Sequence, residues 1–323
     1  MVIAPLADLK QDLRNVEAEL QSVIAERAGS LRPSAELMFS SGGKRLRPAL
    51  VLLVAKQFGE VQPGIFKIAA AVEMIHGASL IHDDVIDGTT VRRGKPTMNS
   101  ERGNHFSVLL GDFLLCQALL AVSDLDRVDL LKVISQGVAD MTQGQILEAQ
   151  LQGDITVTEK SYLEVIDGKT SSLMAAGCKL AALYSDATAE QVQAAEDFGR
   201  NIGFAFQIID DILDIWGDPA VLGKPVGSDL QEKKYTLPFL ISYAASPESE
   251  RLEVKKLLSN GSFPGQHIPE IVQWMDKHQG RALANQRATH YTAAARAALE
   301  LMPASKARTD LSQLVDFLME RQK

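Results

Sequence analysis

The sequence predicts an all-α fold, a single helical-bundle domain spanning residues 1–323. Three observations predict it. Apolar residues recur at helical spacing through one long run after another. Joints containing Gly, Pro or Asp separate many of those runs. No stretch alternates as a strand would, and there is neither a βαβ rhythm nor a low-complexity linker. A 46% hydrophobic and 23% charged composition over 323 residues is ample for one large core.

Taken in order, residues 5–28 carry Leu6, Leu9, Leu13, Val16, Leu20 and Val23 at helical spacing, which predicts an amphipathic surface helix. Residues 42–48 form a basic loop that opens a helix over 49–58. Long helical patterns follow over 64–87, 105–123, 129–151, 159–184 and 189–216. From Tyr235 onward the pattern predicts shorter helices, broken near Pro247, 261–264, Pro269 and Pro303.

The formal charge of −8 argues against nucleic acid as a partner, because a binder of phosphate backbones carries a basic field. Cys116 and Cys178 lie in apolar runs and read as small core residues, fitting a reducing, cytoplasmic setting rather than a disulfide. No basic segment followed by an apolar core opens the chain, so no signal peptide is expected. The most apolar windows, 49–55 and 113–122, read as too short and too interrupted to span a bilayer.

Within this helical frame, residues 76–93 read HGASLIHDDVIDGTTVRR. Met74, Ile75, Leu80, Ile81, Val85 and Ile86 suit a largely buried helix that ends at Gly88-Thr89-Thr90. Inside it sit Asp83, Asp84 and Asp87. Asp83 and Asp87, four residues apart, share a helix face with Asp84 beside them. Like charges so placed repel, more strongly when buried, so a cation belongs between them, and hard carboxylate oxygens suit Mg²⁺. Arg92 and Arg93 follow at once, and guanidinium forks fit phosphate. Residues 204–218, FAFQIIDDILDIWGD, repeat the spacing with Asp210, Asp211 and Asp214. Three acids among Ile, Leu, Phe and Trp make a poor solvated face, and buried carboxylates need partners or metal. Two such patches would suit a cavity that holds metals between them.

The paired DDxxD motifs resemble those of the trans-type (head-to-tail) isoprenyl diphosphate synthases. The same holds for Gly43-Lys44-Arg45-Leu46-Arg47-Pro48, Arg92-Arg93-Gly94, Lys169-Thr170, Gly223-Lys224-Pro225 and the segment Asp229-Leu230 through Lys234 to Thr236-Leu237-Pro238. These elements run in the family's order over residues 41–238. The resemblance implies a helical bundle around a central active-site cavity and an Mg²⁺-dependent prenyltransferase, with about three ions per active site. Lys44, Arg47 and His76, with Arg93 beside them, would hold the diphosphate of isopentenyl diphosphate. Arg92, Lys169, Lys224 and Lys234 would bind an allylic diphosphate whose metals are held from Asp83, Asp87 and Asp210. Asp84, Asp211 and Asp214 would orient metal-bound water or ligate in part. A kink after Gly168 would turn Thr170 and backbone carbonyls of Lys169-Thr170 toward the reacting carbon, and Gln207 matches a family residue with the same task. Residues 218–234 would form a closing lid.

Product length is read from the residues before the first motif. At about 1.5 Å per residue, Ser79 and Ala78 lie roughly 6 and 7.5 Å deeper than Asp83 along the helix. Short-chain members of the family often carry bulky aromatics here, whereas this chain has Gly77, Ala78 and Ser79. Ile75 and Val72 come next on that face, and Phe113 or Met141 would contribute to a deeper floor. Such an open path predicts a product longer than about twenty carbons, a quinone side-chain precursor of about thirty to fifty. Two departures stand out. Position 233 is Lys where the family more often has Gly, and position 77 is Gly where a larger residue is common.

Alternatives within the reading are a geranylgeranyl or farnesyl diphosphate synthase, a class I terpene cyclase, and a non-catalytic subunit. A cyclase would carry an Asn/Ser/Glu second metal motif and would not need the basic isopentenyl site. A non-catalytic subunit would have lost one acidic motif or the Lys44/Arg47 site. The resemblance further implies a homodimer, with helices 105–123 and 129–151 at the interface, and at most transient membrane contact for product release.

Overall fold

The computed structural model describes residues 8–40, 45–92, 94–219, 226–259 and 267–320. It is all-α, as the periodicity predicts. Among the described residues the only strands are Val91–Arg92 and Lys95–Pro96, a two-residue antiparallel ladder around Gly94 at φ +74° that the pattern did not foreshadow. The chain divides into two compact units. One comprises Met1–Ala139, Leu173–Gly199 and Arg296–Leu314, the other Asp140–Ser172, Arg200–Ala295 and Val315–Lys323.

The first unit is built on the Pro63–Ile86 helix. Pro63 opens it at a position where its missing N–H costs nothing. Ile65, Ile68, Val72, Met74 and Ile75 are all at most 1% exposed, as expected of a helix apolar on every side. Neighbouring helices close on it where a side chain is missing. A Cβ at Gly64 would fall 2.2 Å from the Tyr184 hydroxyl, and one at Gly111 would fall 2.2 Å from His82. The helix ends where expected. Thr89 N–H donates to Asp84 O (2.9 Å) and Gly88 N–H to Val85 O (3.4 Å) around Gly88 at φ +64°, a left-handed stop suited to glycine.

Several expectations for this unit need correction. The first helix is Lys10–Arg27, and it buries Ile24 rather than Val23 beside Val16 and Leu20. The next core helix is Leu46–Ala55, not 49–58, so Arg47 and Pro48 lie in its first turn, where proline is tolerated. Its start is fixed from outside. Arg45, at φ +47°, donates to Glu17 (2.6 Å), Glu73 (2.7 Å) and Phe39 O (2.8 Å). Ile86, read as a buried position, is 59% exposed because it lies on the last, outward turn. Cys178 is buried, which pushes its thiol up to about 12, but Cys116 is exposed on the outward face of the Asn104–Ser123 helix. That helix, which contains the 113–122 window, and Pro63–Ile86, which contains neither window read from sequence, are by length and composition alone apolar enough to cross a membrane. Within the folded chain, 72% of the apolar window of Pro63–Ile86 is buried, and 44% of that of Asn104–Ser123.

In the second unit, the predicted 159–184 helix is interrupted. Glu159–Ile166 passes into a π-helical turn, Asp167–Ser171, before α-helix resumes at Ser172–Tyr184. The turn is gripped on two sides. A Cβ at Gly144 of the Val128–Leu151 helix would lie 2.4 Å from the Lys169 nitrogen, and one at Gly203 of Ala189–Trp216 would lie 2.5 Å from the Ser171 Cα. Glycine at both places lets the backbones meet, and the wide turn that results is where the sequence places its Lys-Thr pair. Downstream come Ser228–Gln231, Leu237–Ala245, Glu248–Ser259, Ile268–Lys277 and Gly280–Glu300. The last of these is long, not one of the short helices expected, and a break at Gln279, φ +58°, precedes it. Helix boundaries fall next to Pro269, in the first turn of Ile268–Lys277, and next to Pro303, ahead of Lys306–Glu320, as expected. The break expected at 261–264 lies outside the described residues.

Candidate active site

The first acidic motif lies in the first unit, on the final turns of Pro63–Ile86. Its three carboxylates occupy different environments. Asp83 is half-buried and Asp87 exposed on the side the two share, whereas Asp84 points inward at 6% exposure. The ladder after the helix turns the chain back so that the Arg92 Nε and Nη2 both reach Asp84 Oδ1 at 2.8 Å. Asn99 secures the bend by donating to Asp84 O (3.1 Å) and Thr89 O (3.0 Å). Burial raises the Asp84 pKa and Asp87 adds to it, while Arg92 pulls the other way. The expected phosphate donor Arg92 is therefore the counter-ion of the inward carboxylate here.

His76 and Arg47 are half-buried in this same unit. Lys44, Arg93 and Lys224 lie outside the described residues. Of the positions read as a chain-length path, Ala78 is 3% exposed, Ile75 0% and Val72 1%, and Ser79 donates its hydroxyl to His76 O (2.9 Å). Gly77 has a packing reason. A Cβ there would come within 3.2–3.3 Å of Met38 and Phe39 on the Arg32–Ser40 helix. Val72 lies against the helix that carries Gly177, where an added Cβ would meet it at 3.5 Å.

The second acidic motif lies in the second unit, beside a cavity of about 170 Å³. Lys169, Thr170, Gln207, Asp211 and Lys234 all line it, so five of the sequence-predicted residues are gathered in one place. Asp210 is half-buried, but Asp211 and Asp214 are 3% and 1% exposed. The partners of the inward pair explain their burial. Asp211 accepts from the Tyr162 hydroxyl at 2.6 Å and from Gln207 Nε2 at 2.9 Å, and the Gln207 oxygen accepts from Thr170 Oγ1 at 2.8 Å. Asp214 accepts from the Ser228 hydroxyl and from Asp229 N–H (3.1 Å), capping the Ser228–Gln231 helix. Burial, then the nearby Asp229, hold the Asp211 carboxyl well above the usual range.

Two lysines reach the cavity, each held by a glutamate. Lys169 pairs with Glu148 at 2.5 Å and Lys234 with Glu232 at 2.8 Å. Lys233, in contrast, is exposed. It stands at φ +58° just past the Ser228–Gln231 helix, where Lys234 N–H donates to Asp229 O (2.7 Å) and Lys233 N–H to Leu230 O (3.0 Å). That left-handed stop favours glycine, which accounts for the residue usual at this place. Lys233→Gly is therefore expected to raise stability by up to about 1 kcal/mol, the released strain being partly offset by the freer unfolded chain. A thermal midpoint lowered by the change would show that the lysine stem contributes more than its backbone costs.

Sequence reasoning missed Tyr162, Glu148 and Ser228. Tyr162 reads as one more apolar position of its helix, and Glu148 lies 21 residues from the lysine it holds. Only folding pairs them. Among the described residues no three His, Cys, Asp or Glu side chains form a ready-made metal cage. The donors nonetheless fit Mg²⁺. They are carboxylates crowded by like charge, and this ion commonly takes one or two of them, with water and substrate phosphate completing its shell.

Comparison with known proteins agrees with this reading. The polyprenyl synthetase family matches residues 29–275. An all-trans-nonaprenyl-diphosphate synthase (geranyl-diphosphate specific) of Rhodobacter capsulatus is 34% identical over 99% of this chain and 97% of its own length. A short chain isoprenyl diphosphate synthase of Methanothermobacter thermautotrophicus is also 34% identical, over 91% of each. The crystal structure of a decaprenyl diphosphate synthase from Rhodobacter capsulatus superposes with a TM-score of 0.93 at 33% identity, covering 99% of this chain and 98% of that one. The chain belongs to the polyprenyl synthetase family and is an all-α prenyltransferase.

Proposed function

We propose that residues 1–323 act as one polyprenyl synthase domain that condenses isopentenyl diphosphate with an allylic prenyl diphosphate. The product is an all-trans polyprenyl diphosphate longer than about twenty carbons, as the small residues Ala78 and Ser79 one to two turns before Asp83 suggest. The observation that carries this reading is the second-unit cavity, where Lys169 and Lys234 stand beside the hydroxyl of Thr170 and the amide of Gln207.

Mg²⁺, with about three ions per site, would be held by Asp83, Asp87 and Asp210, and its charge would stabilise the departing diphosphate. The inward Asp84, Asp211 and Asp214 keep to supporting roles, since Arg92, Tyr162 and Ser228 already engage them. Lys169 and Lys234 exchange their glutamates for phosphate oxygens of the allylic substrate, a more highly charged acceptor. Arg92 and Lys224 are assigned to the same diphosphate. Lys44, Arg47, His76 and Arg93 hold isopentenyl diphosphate, so that its double bond lies next to the allylic carbon. Thr170, Gln207 and the carbonyls of the π turn present oxygen to the allylic cation as the C–O bond breaks. A new C–C bond then forms, and a proton passes to a diphosphate oxygen, leaving a chain one isoprene unit longer. The lid assigned to residues 218–234 falls partly on 220–225, which lie outside the described residues.

The test is radiolabelled isopentenyl diphosphate with farnesyl diphosphate and Mg²⁺. Products longer than about twenty carbons support the reading. Geranylgeranyl diphosphate as the end product would make this a short-chain enzyme, like the short chain isoprenyl diphosphate synthase of Methanothermobacter thermautotrophicus. Cyclic hydrocarbon or no turnover would overturn it.

The protein is further proposed to be a cytoplasmic homodimer that touches membrane only to release product. Val108, Leu109 and Leu120 are 41%, 52% and 45% exposed on the Asn104–Ser123 helix, and Val128 and Ile146 on Val128–Leu151 are likewise exposed. Apolar side chains left exposed along these two helices are consistent with cover by a partner. Sedimentation at micromolar concentration is expected to give twice the 35.1 kDa chain mass, and a monomer would remove the proposal.

A further inference from the structure

The second acidic motif places two aspartates side by side, Asp210 and Asp211, about 100° apart around the helix. The inward one is held from both sides. Asp211 is 3% exposed, and each of its oxygens already accepts a hydrogen bond, Oδ2 from Tyr162 and Oδ1 from Gln207. The consequences run outward from there. Because the Gln207 amide nitrogen is turned to Asp211, its oxygen must face the other way. That oxygen takes the hydrogen of the Thr170 hydroxyl at 2.8 Å. A hydroxyl whose hydrogen is committed in this manner has only oxygen lone pairs left to present elsewhere. Thr170, Gln207 and Asp211 all line the second-unit cavity.

We propose that Tyr162 is a positioning residue for the condensation. Through Asp211 and Gln207 it fixes the direction of a hydrogen-bond chain so that Thr170 shows the cavity oxygen rather than hydrogen. A reversed chain would aim the positive end of the O–H dipole at a carbon that becomes cationic, which opposes ionisation. The chain has a defined polarity because both Asp211 oxygens accept, one from Gln207 and the other from Tyr162, which is buried on the Glu159–Ile166 helix. The tyrosine itself need not touch substrate. This inference rests on the reading of Thr170 as facing the allylic carbon.

The test is a double-mutant cycle of Tyr162→Phe and Thr170→Val, read as kcat and as KM for both substrates, with unfolding curves alongside. Two residues that act through one chain are not additive. Tyr162→Phe is expected to lower kcat about tenfold, less than the roughly hundred- to thousandfold loss of a donor in direct contact because Tyr162 acts through two other groups, with both KM values within about twofold of wild type. Thr170→Val should lower kcat by a similar factor, and the double variant should fall no more than about twofold below the poorer single one. Independent, multiplying losses would overturn the proposal, as would an unchanged kcat in Tyr162→Phe. Full activity in Thr170→Val would instead overturn the underlying assignment of Thr170, whatever Tyr162 does. If Tyr162→Phe does not fold, Gln207→Met breaks the middle of the chain at similar volume and takes its place in the cycle, with the same criterion.

Discussion

Asp83→Ala and Asp210→Ala are each expected to reduce elongation at least about a thousandfold at saturating Mg²⁺ while changing stability by less than about 1 kcal/mol. The two halves of that expectation have separate causes. Activity falls because each change removes a half-buried carboxylate assigned to the metals that neutralise the leaving diphosphate. Stability is expected to hold because each change removes one of three neighbouring like charges, Asp83 beside Asp84 and Asp87 and Asp210 beside Asp211 and Asp214. Asp210 is one of the groups that keep the Asp211 carboxyl above its usual range, after burial and Asp229. A carboxyl raised in the folded state opposes folding when it is ionised, so removing a repelling neighbour relieves the fold near neutral pH. The inward acids should behave in the opposite sense. Asp211→Ala strands the buried Tyr162 hydroxyl, and Asp214→Ala uncaps the Ser228–Gln231 helix, changes expected to cost about 1–3 kcal/mol each. Near-wild-type turnover by either the Asp83 or the Asp210 variant would falsify the metal assignment.

Ala78→Phe is expected to shorten the product to about fifteen to twenty carbons while leaving the rate of the first condensation nearly intact, because position 78 is five residues, about 7.5 Å, along the helix from Asp83. Stability supplies an independent reading of the same variant. Ala78 is 3% exposed, so a phenyl ring entering a closed core would cost about 1–3 kcal/mol or more. A ring that enters a lumen reserved for a prenyl tail has room, and the fold should barely register it. A destabilised variant with unchanged product length would mean that Ala78, like Gly77 against Met38 and Phe39, is small only to let helices pack. The length assignment would then lose its main support.

The sequence by itself determined what depends on local periodicity. The spans 64–87, 105–123, 129–151 and 189–216 match helices to within a residue, because burying one face every 3.6 residues is written in the order of apolar side chains. The stop at Gly88 was legible for a similar reason, since a left-handed residue after a helix calls for glycine. Gly168 foreshadowed the irregular turn at Lys169-Thr170, though not that it would be π-helical. Tertiary structure decided which member of each acidic triad faces inward. Spacing puts Asp83 and Asp87 on one side, but whether Asp84 is solvated or buried depends on a ladder that returns Arg92 to it. In the second motif, spacing alone cannot tell Asp210 from Asp211 or Asp214, because the partners that bury the latter two, Tyr162 and Ser228, arrive from elements 49 and 14 residues away. Arg45 shows the same limit. It stands in a basic run that reads as a solvated loop, yet Glu17 and Glu73, each 28 residues distant, hold it as a structural clasp. A periodic sequence states which residues share a face; which partner that face meets is a property of the packed chain, and partners decide whether a charge serves the fold or the substrate.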